Sequence, residues 1–219
     1  ATGEPSRITC VAHIGDGEFV DVERKSELGG NIHAKGMMIM QAYLIAELKL
    51  EQPFPFSTSV VFEQSYGEVD GDSASLAELC ALISALSWQP VDQQIAVTGS
   101  VDQFGFVQAI GGVNEKIEGF FRLCQARGLT GKQGVIIPAS NERHLVLSDD
   151  VVEAVRQGEF HIWTAGHVSQ AASHLMNMPY YEEDGNPSGE HLLAIIQDRI
   201  FLANNQDKPR NSWFSRWWK

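Results

Sequence analysis

At 219 residues the chain is long enough to bury a sizeable core, as one large domain or two small ones. Its 43% hydrophobic and 20% charged residues are those of an ordinary globular protein, and a formal net charge of -12 argues against sequence-independent nucleic-acid binding, which needs a basic surface. Cys10, Cys80 and Cys124 lie far apart with no CxxC, so neither a disulfide framework nor a zinc site is expected. A reducing cytoplasm is the natural compartment. The longest apolar stretch, Gly36 to Leu50, is interrupted by Gln41, Glu47 and Lys49 and falls short of the roughly 20 residues a membrane span needs. No charged-then-apolar leader opens the chain. Its start at Ala1, without an initiator methionine, is read as the mark of a processed product or an excised domain.

Taken in order, Arg7 to Gly15 and Glu18 to Glu23 read as strands joined by Asp16-Gly17, a hairpin turn signal. After Gly29-Gly30-Asn31 a helix is expected from about Ala34 to Leu48, with Met37, Met40, Leu44 and Leu48 at three- and four-residue spacing, ended by Pro53 and Pro55. Ser57 to Glu63 is β-rich, Tyr66 to Asp72 is a Gly-Asp loop, and Ser73 to Trp88 is helical, with Leu76, Leu79, Cys80, Ile83 and Leu86 on one face. Gln94 to Ser100 and Phe104 to Ala109 read as strands. Asn114 to Arg127 reads as a helix closed by Gly128. Gly134 to Ile137 is a buried-type strand, Ser148 to Gln157 a helix, Phe160 to Thr164 a strand, and Val168 to Met176 and Glu190 to Ala203 helices. The mixture indicates a single α+β (mixed α/β) domain over residues 1–203, followed by a mobile tail over 204–219.

Ser73 and Lys116 carry the chemistry. Each sits where a glycine-marked loop passes into a helix, and a serine and a lysine so placed can make a nucleophile and its base without a histidine. The plain alternative for the first loop is capping, since Ser75 followed by Glu78 fits the Ser-x-x-Glu capping box. For Lys116 it is a solvated charge. However, the first turn of a helix is electrostatically poor for a cation and favours the neutral amine. To act as a base near neutral pH a lysine must fall from about 10.4 to about 7–8, roughly 4 kcal/mol against its charged form. A helix terminus supplies at most about 2 kcal/mol, so Lys116 is expected to be largely desolvated. Asp70 and Asp72 oppose this if they face the amine: either they point away, or the free protein holds the lysine protonated.

Several ordered motifs carry a resemblance. They are Asp21-Val22-Glu23-Arg24-Lys25-Ser26-Glu27-Leu28-Gly29-Gly30, Asp70-Gly71-Asp72-Ser73-Ala74, Val97-Thr98-Gly99-Ser100-Val101 and Ile110-Gly111-Gly112-Val113-Asn114-Glu115-Lys116. The chain resembles the proteolytic domain of Lon-type ATP-dependent proteases from about Ile8 to Met176, most closely the B-type and related bacterial Lon-like forms. The resemblance implies Ser73 as nucleophile, Lys116 as general base, Thr98 as a support for the lysine amine and Asp70 as the acidic residue before the serine. Backbone N–H groups around Asp72 and Ser73 would form the oxyanion hole. Asp72 stands where A-type forms usually have proline, and Ser75 where they have glycine; both look like the B-type version. The resemblance further implies unfolded protein or peptide substrates, a homo-hexamer in the intact protein, and an ATPase module of the same polypeptide. ATP and Mg belong to that module, and no cofactor is expected in this chain, which has no G-x-x-x-x-G-K-[ST] of its own.

None of the seven histidines forms HExxH, no serine sits in GxSxG, and no SxxK occurs. His167 and His174, seven apart, could share a helix face, and no metal is assigned to them. The tail Ser212-Trp213-Phe214-Ser215-Arg216-Trp217-Trp218-Lys219 holds three of the five tryptophans. It is too short for stable membrane anchoring, so membrane contact is not expected, and folding back over the domain is the simpler reading. The leading reading is a serine endopeptidase. The alternative is a catalytically inactive Lon-like module that binds unfolded chains or mediates ring assembly.

Overall fold

The apolar periodicity of residues 75–87 becomes the central helix of the fold. A computed structural model describes residues 3–184 and 189–206. In it, α3 (Ser75–Ser87) buries Leu76, Leu79, Leu82, Ile83 and Leu86 almost completely. It packs on β1 (Arg7–Ile14) and β3 (Phe56–Glu63) on one side and on α2 (Asn31–Glu47), α6 (Val168–Met176) and α7 (Leu192–Asn205) on others. A helix enclosed from several sides draws its stability from packing rather than propensity. Ile83→Ala, at a side chain with 0% exposure, should cost about 2–5 kcal/mol. Chemical denaturation should show this as a lower midpoint with an unchanged slope.

The architecture is α+β, with three small sheets and seven helices among the described residues. The first sheet has the order β1-β3-β2, where β2 is Phe19–Asp21. β3 runs antiparallel to β1 and parallel to β2. The chain does reverse at Asp16-Gly17, but the two flanking strands do not pair as the expected hairpin. β3, with five of its first seven residues buried and the other two half-buried, takes the place between them. Its burial makes a central position more favourable than the edge that a local hairpin would leave it. The expected second strand also ends early, at Asp21, and residues Val22–Lys25 form the short helix α1, capped by the Asp21 side chain.

The second sheet, β4 (Ile95–Val97), β7 (Gly134–Pro138) and β8 (His161–Ala165), is parallel throughout in the order β4-β7-β8. β7 is buried along its whole length and alternates between two cores. Ile136 joins the core around α3, whereas Val135 and Ile137 join a second one with Ile117 and Phe121 of α4 (Val113–Arg127), Val151 and Ala154 of α5 (Asp149–Arg156), and Phe160. The single strand expected over Gln94 to Ser100 is divided: Ile95–Val97 belongs to this sheet, and Ser100–Val101 forms β5, which pairs with β6 (Val107–Gln108). The break falls at Thr98-Gly99, where the backbone turns aside to bond elsewhere. α7 ends at Asn205, two residues beyond the expected domain boundary; the Trp-rich segment lies outside the described residues. Cys10, Cys80 and Cys124 are free thiols. Among the described residues no helix is long and apolar enough to cross a membrane.

Candidate active site

Three segments meet at Ser73. Upstream, Val69 exchanges backbone hydrogen bonds with Leu28 and Gly30, its N–H donating to Leu28 O and its O accepting from Gly30 N–H, both at 2.8 Å. Asp70 then reaches across to the start of α2. Gly30, the residue preceding that helix, has no side chain to cap it. Asp70 Oδ1 does so instead, accepting from Ile32 N–H at 3.1 Å and His33 N–H at 3.3 Å. The Gly71 amide, followed by those of His33 and Ile32, holds the Asp70 carboxyl below the usual carboxylate range. Asp70 is therefore engaged with α2, one of the two outcomes the sequence left open. Gly36 lets α2 press close: a Cβ there would stand 3.1 Å from Asp72 Cβ.

Downstream, α3 begins without a side-chain cap. Ser75 is its first residue rather than its cap, and Ser75 Oγ accepts from Val101 N–H at 3.1 Å, pinning β5. Glu78 is 1% exposed and does not return to the helix start. The capping-box reading of Ser75 and Glu78 is thus overturned: Ser75 is committed to β5, and the Glu78 carboxyl is buried facing His33.

The second segment is the Thr98-Gly99 break. Gly99 N–H donates to Ser73 O at 2.9 Å, Leu76 N–H donates to Gly99 O at 3.1 Å, and Thr98 N–H donates to Ile136 O at 3.0 Å. Ser73 is thereby tied to the C-terminal edge of the parallel sheet. The Thr98 hydroxyl, 7% exposed, reaches Ser73 O at 3.5 Å.

The third segment carries Lys116, fourth residue of α4. Its approach is held by Asn141, a buried residue that sequence reasoning missed. Asn141 Oδ1 accepts from Ile110 N–H at 2.9 Å and its Nδ2 donates to Ile110 O at 3.0 Å. Asn141 lies 31 positions from Ile110 in a 3₁₀ turn after β7, so no local signal marks it.

Lys116 Nζ lies 2.9 Å from Ser73 Oγ and 3.4 Å from Thr98 Oγ1, donating to each in its charged form. Burial pushes the Lys116 amine below its ordinary value, while the exposed Asp72 carboxylate pulls it back up. Lys116 is half-buried, not largely desolvated as expected, because the end of its side chain meets a loop rather than the core. Neither the Asp72 nor the Ser73 amide donates to a carbonyl among the described residues. A serine hydroxyl within hydrogen-bond reach of an amine biased toward neutrality, beside free amides at a helix start, can perform nucleophilic acyl transfer.

Thr98→Val should lower kcat about tenfold with little change in KM, the size of effect expected for losing one hydrogen bond to the amine. Steady-state kinetics on a fluorogenic peptide would measure it. The two histidines that could have shared a helix face do not act together. His167 caps α6, its Nδ1 accepting from Ser169 N–H at 3.1 Å, while His174 packs on Trp163.

Residues 61–178 match the family model for the Lon protease (S16) C-terminal proteolytic domain. The chain is 62% identical over 218 residues to an Escherichia coli protein named "Putative Lon protease homolog", covering 99% of this chain and 36% of that protein. A protein of the same name from Haemophilus influenzae is 56% identical over 214 residues, covering 97% of this chain and 35% of its own length. An archaeal Lon protease from Methanocaldococcus jannaschii is 50% identical over 82 residues, 37% of this chain and 12% of the relative. The chain therefore spans about a third of the length of the first two relatives. With a family match over more than half its residues, and similarity to those two along nearly all of them, the chain belongs to the Lon protease proteolytic-domain family.

Proposed function

We propose that this domain is a serine endopeptidase working through a Ser73–Lys116 dyad. The observation that carries the reading is the 2.9 Å contact between Lys116 Nζ and Ser73 Oγ. In the neutral state Lys116 accepts the Ser73 hydroxyl proton as Oγ attacks a peptide carbonyl carbon. The resulting oxyanion is received by the amides of Asp72 and Ser73. As the tetrahedral adduct collapses the C–N bond breaks, and the Lys116 ammonium gives its proton to the departing amine. Water then attacks the Ser73 ester, delivering one proton to Lys116, which returns it to Ser73 Oγ as the acid leaves. Thr98 keeps Nζ in place through this cycle. Asp72 biases the amine toward its charged form, and Asp70 braces the loop from α2.

We further propose that the substrates are unfolded protein segments. An ATPase elsewhere in the polypeptide would feed them in, binding ATP and Mg outside this chain, and the intact protein would assemble as a homo-hexamer in the cytoplasm. Cleavage of casein by the chain, followed by gel electrophoresis and mass spectrometry of the products, tests the endopeptidase. Cleavage dependent on both Ser73 and Lys116 supports it. Binding of casein without turnover, in the free domain and with the ATPase portion attached, would favour a non-hydrolytic Lon-like module instead.

A further inference from the structure

Beside the nucleophile loop lies a buried group of ionisable side chains that the chemistry above does not use. His33 on α2 is 2% exposed and stands between two carboxyls on opposite ring nitrogens. Its Nε2 is 3.3 Å from each Asp21 carboxylate oxygen, and its Nδ1 is 3.5 Å from Glu78 Oε1 on α3. Glu23 of α1, 3% exposed, accepts from Phe62 N–H through one oxygen; its other oxygen, like Asp21 Oδ2 and Glu78 Oε1, has no hydrogen-bond partner among the described residues. The cation nearest by sequence, Arg24, donates to Gly29 O. The Phe62 ring from β3 closes the site edge-on to the imidazole. From the loop itself the facing acid is Asp70, which accepts from the His33 main-chain N–H.

His33 therefore holds both ends of one short segment. Its main chain grips Asp70, three residues before Ser73, and its ring faces Glu78, five residues after. A neutral imidazole carries one N–H. If Nε2 donates to Asp21, Nδ1 and an ionised Glu78 would oppose a lone pair to a carboxylate in a site closed to water. Glu78 Oε1 makes no hydrogen bond among the described residues, and a proton placed between it and Nδ1, 3.5 Å away, would satisfy both atoms.

We propose that His33 is a positioning residue for Ser73, and that the proton shared with Glu78 closes its grip on the Asp70–Glu78 segment. This rests on the dyad reading for its catalytic consequence, though not for its geometry. The direction of the ionisations agrees. The hydrogen bond to Asp21 raises the His33 imidazole above its ordinary value, and burial pushes the Glu78 carboxyl up to about 8. An unfolded chain gives up the Glu78 proton near 4.5, whereas the folded one keeps it to about 8, so stability declines as pH rises between the two. Lys116 needs the opposite change, since it becomes a base only on losing its proton. The two demands oppose one another, and the loss of activity as pH rises through the Glu78 range belongs to the buried cluster.

The test uses wild type, Glu78→Gln and His33→Gln. A glutamine amide at position 78 supplies the N–H to Nδ1 at every pH. Glu78→Gln should keep near-wild-type activity at neutral pH, lose the falling limb near pH 8, and flatten the decline of stability with pH. His33→Gln should lower kcat about tenfold or more without raising KM comparably. In wild type, imidazole ¹⁵N shifts should show the His33–Glu78 proton lost near pH 8, with the Asp72, Ser73 and Ala74 amide signals moving at the same midpoint and standing still in Glu78→Gln. A falling limb unchanged in Glu78→Gln, or a His33 that titrates without moving those amides, overturns the proposal. Should the chain hydrolyse nothing, the dyad reading fails, and the amide titration in wild type still decides whether His33 grips the loop. It does so as well if either variant fails to fold.

Discussion

Ser73→Ala should abolish peptide hydrolysis, lowering kcat by at least about 10⁴-fold, with the fold and the affinity for unfolded protein retained. Its Oγ is the atom to which Lys116 Nζ is directed at 2.9 Å, and among the described residues no second hydroxyl stands at that distance from Nζ: Thr98 Oγ1 lies at 3.4 Å and bonds back to Ser73 O. Removing a nucleophile from a unit of this kind costs about as much as removing the whole unit. Ser73 is half-buried in a loop held by its main chain, through Gly99 N–H on its carbonyl, so losing one oxygen leaves the backbone frame in place. The checks are casein turnover, thermal unfolding, and capture of the acyl-enzyme by mass spectrometry with an activated ester. Undiminished turnover in the alanine variant would remove Ser73 from the chemistry.

Lys116→Arg should be nearly as damaging, at least about 10³-fold in kcat, although charge and reach are largely kept. A guanidinium stays protonated at any working pH and has no lone pair with which to take the serine proton. The wild-type pH profile should have the corresponding sign. Burial disfavours the ammonium, so the base form accumulates at lower pH than for a free lysine, and activity rises as pH climbs through that lowered value. Asp72 opposes this by stabilising the ammonium. Asp72→Asn should therefore move the rising limb to lower pH, and added salt should move it the same way, because the Asp72 carboxylate is exposed and can be screened. A rising limb that ignores both changes would place Asp72 outside the electrostatics of the amine.

Much of the local structure was legible along the chain. α6 occupies the expected Val168–Met176, and α3, α4 and α5 differ from expectation by at most two residues at either end, as fraying termini allow. Periodicity at 3.6 residues and glycine or proline punctuation are properties of neighbouring residues, so they can be read without knowing the fold. Pairing was not legible. The Asp16-Gly17 turn specifies a reversal, but whether its flanking strands bond to each other depends on what a strand 40 residues away must bury. The break at Thr98-Gly99 was hidden for the same reason, since those amides bond to the nucleophile loop and to β7 instead of continuing a strand.

The candidate site divides along the same line. Ser73, Thr98 and Lys116 were identifiable because short motifs set residue type, spacing and glycine-marked turns together, and the family match covers all three. The sequence by itself determined which side chains could do chemistry, where most of the long helices lie to within a few residues, and that the domain is α+β. Only the tertiary structure decided that Asp70 caps α2, that Ser75 pins β5, that Asn141 braces the loop before Lys116, and that His33 stands between Asp21 and Glu78. Each of these is a contact between residues 12 to 45 positions apart. Hydrogen-bonding capacity is written in a residue's identity, but the partner that satisfies it is chosen by which buried polar atoms the packing brings together.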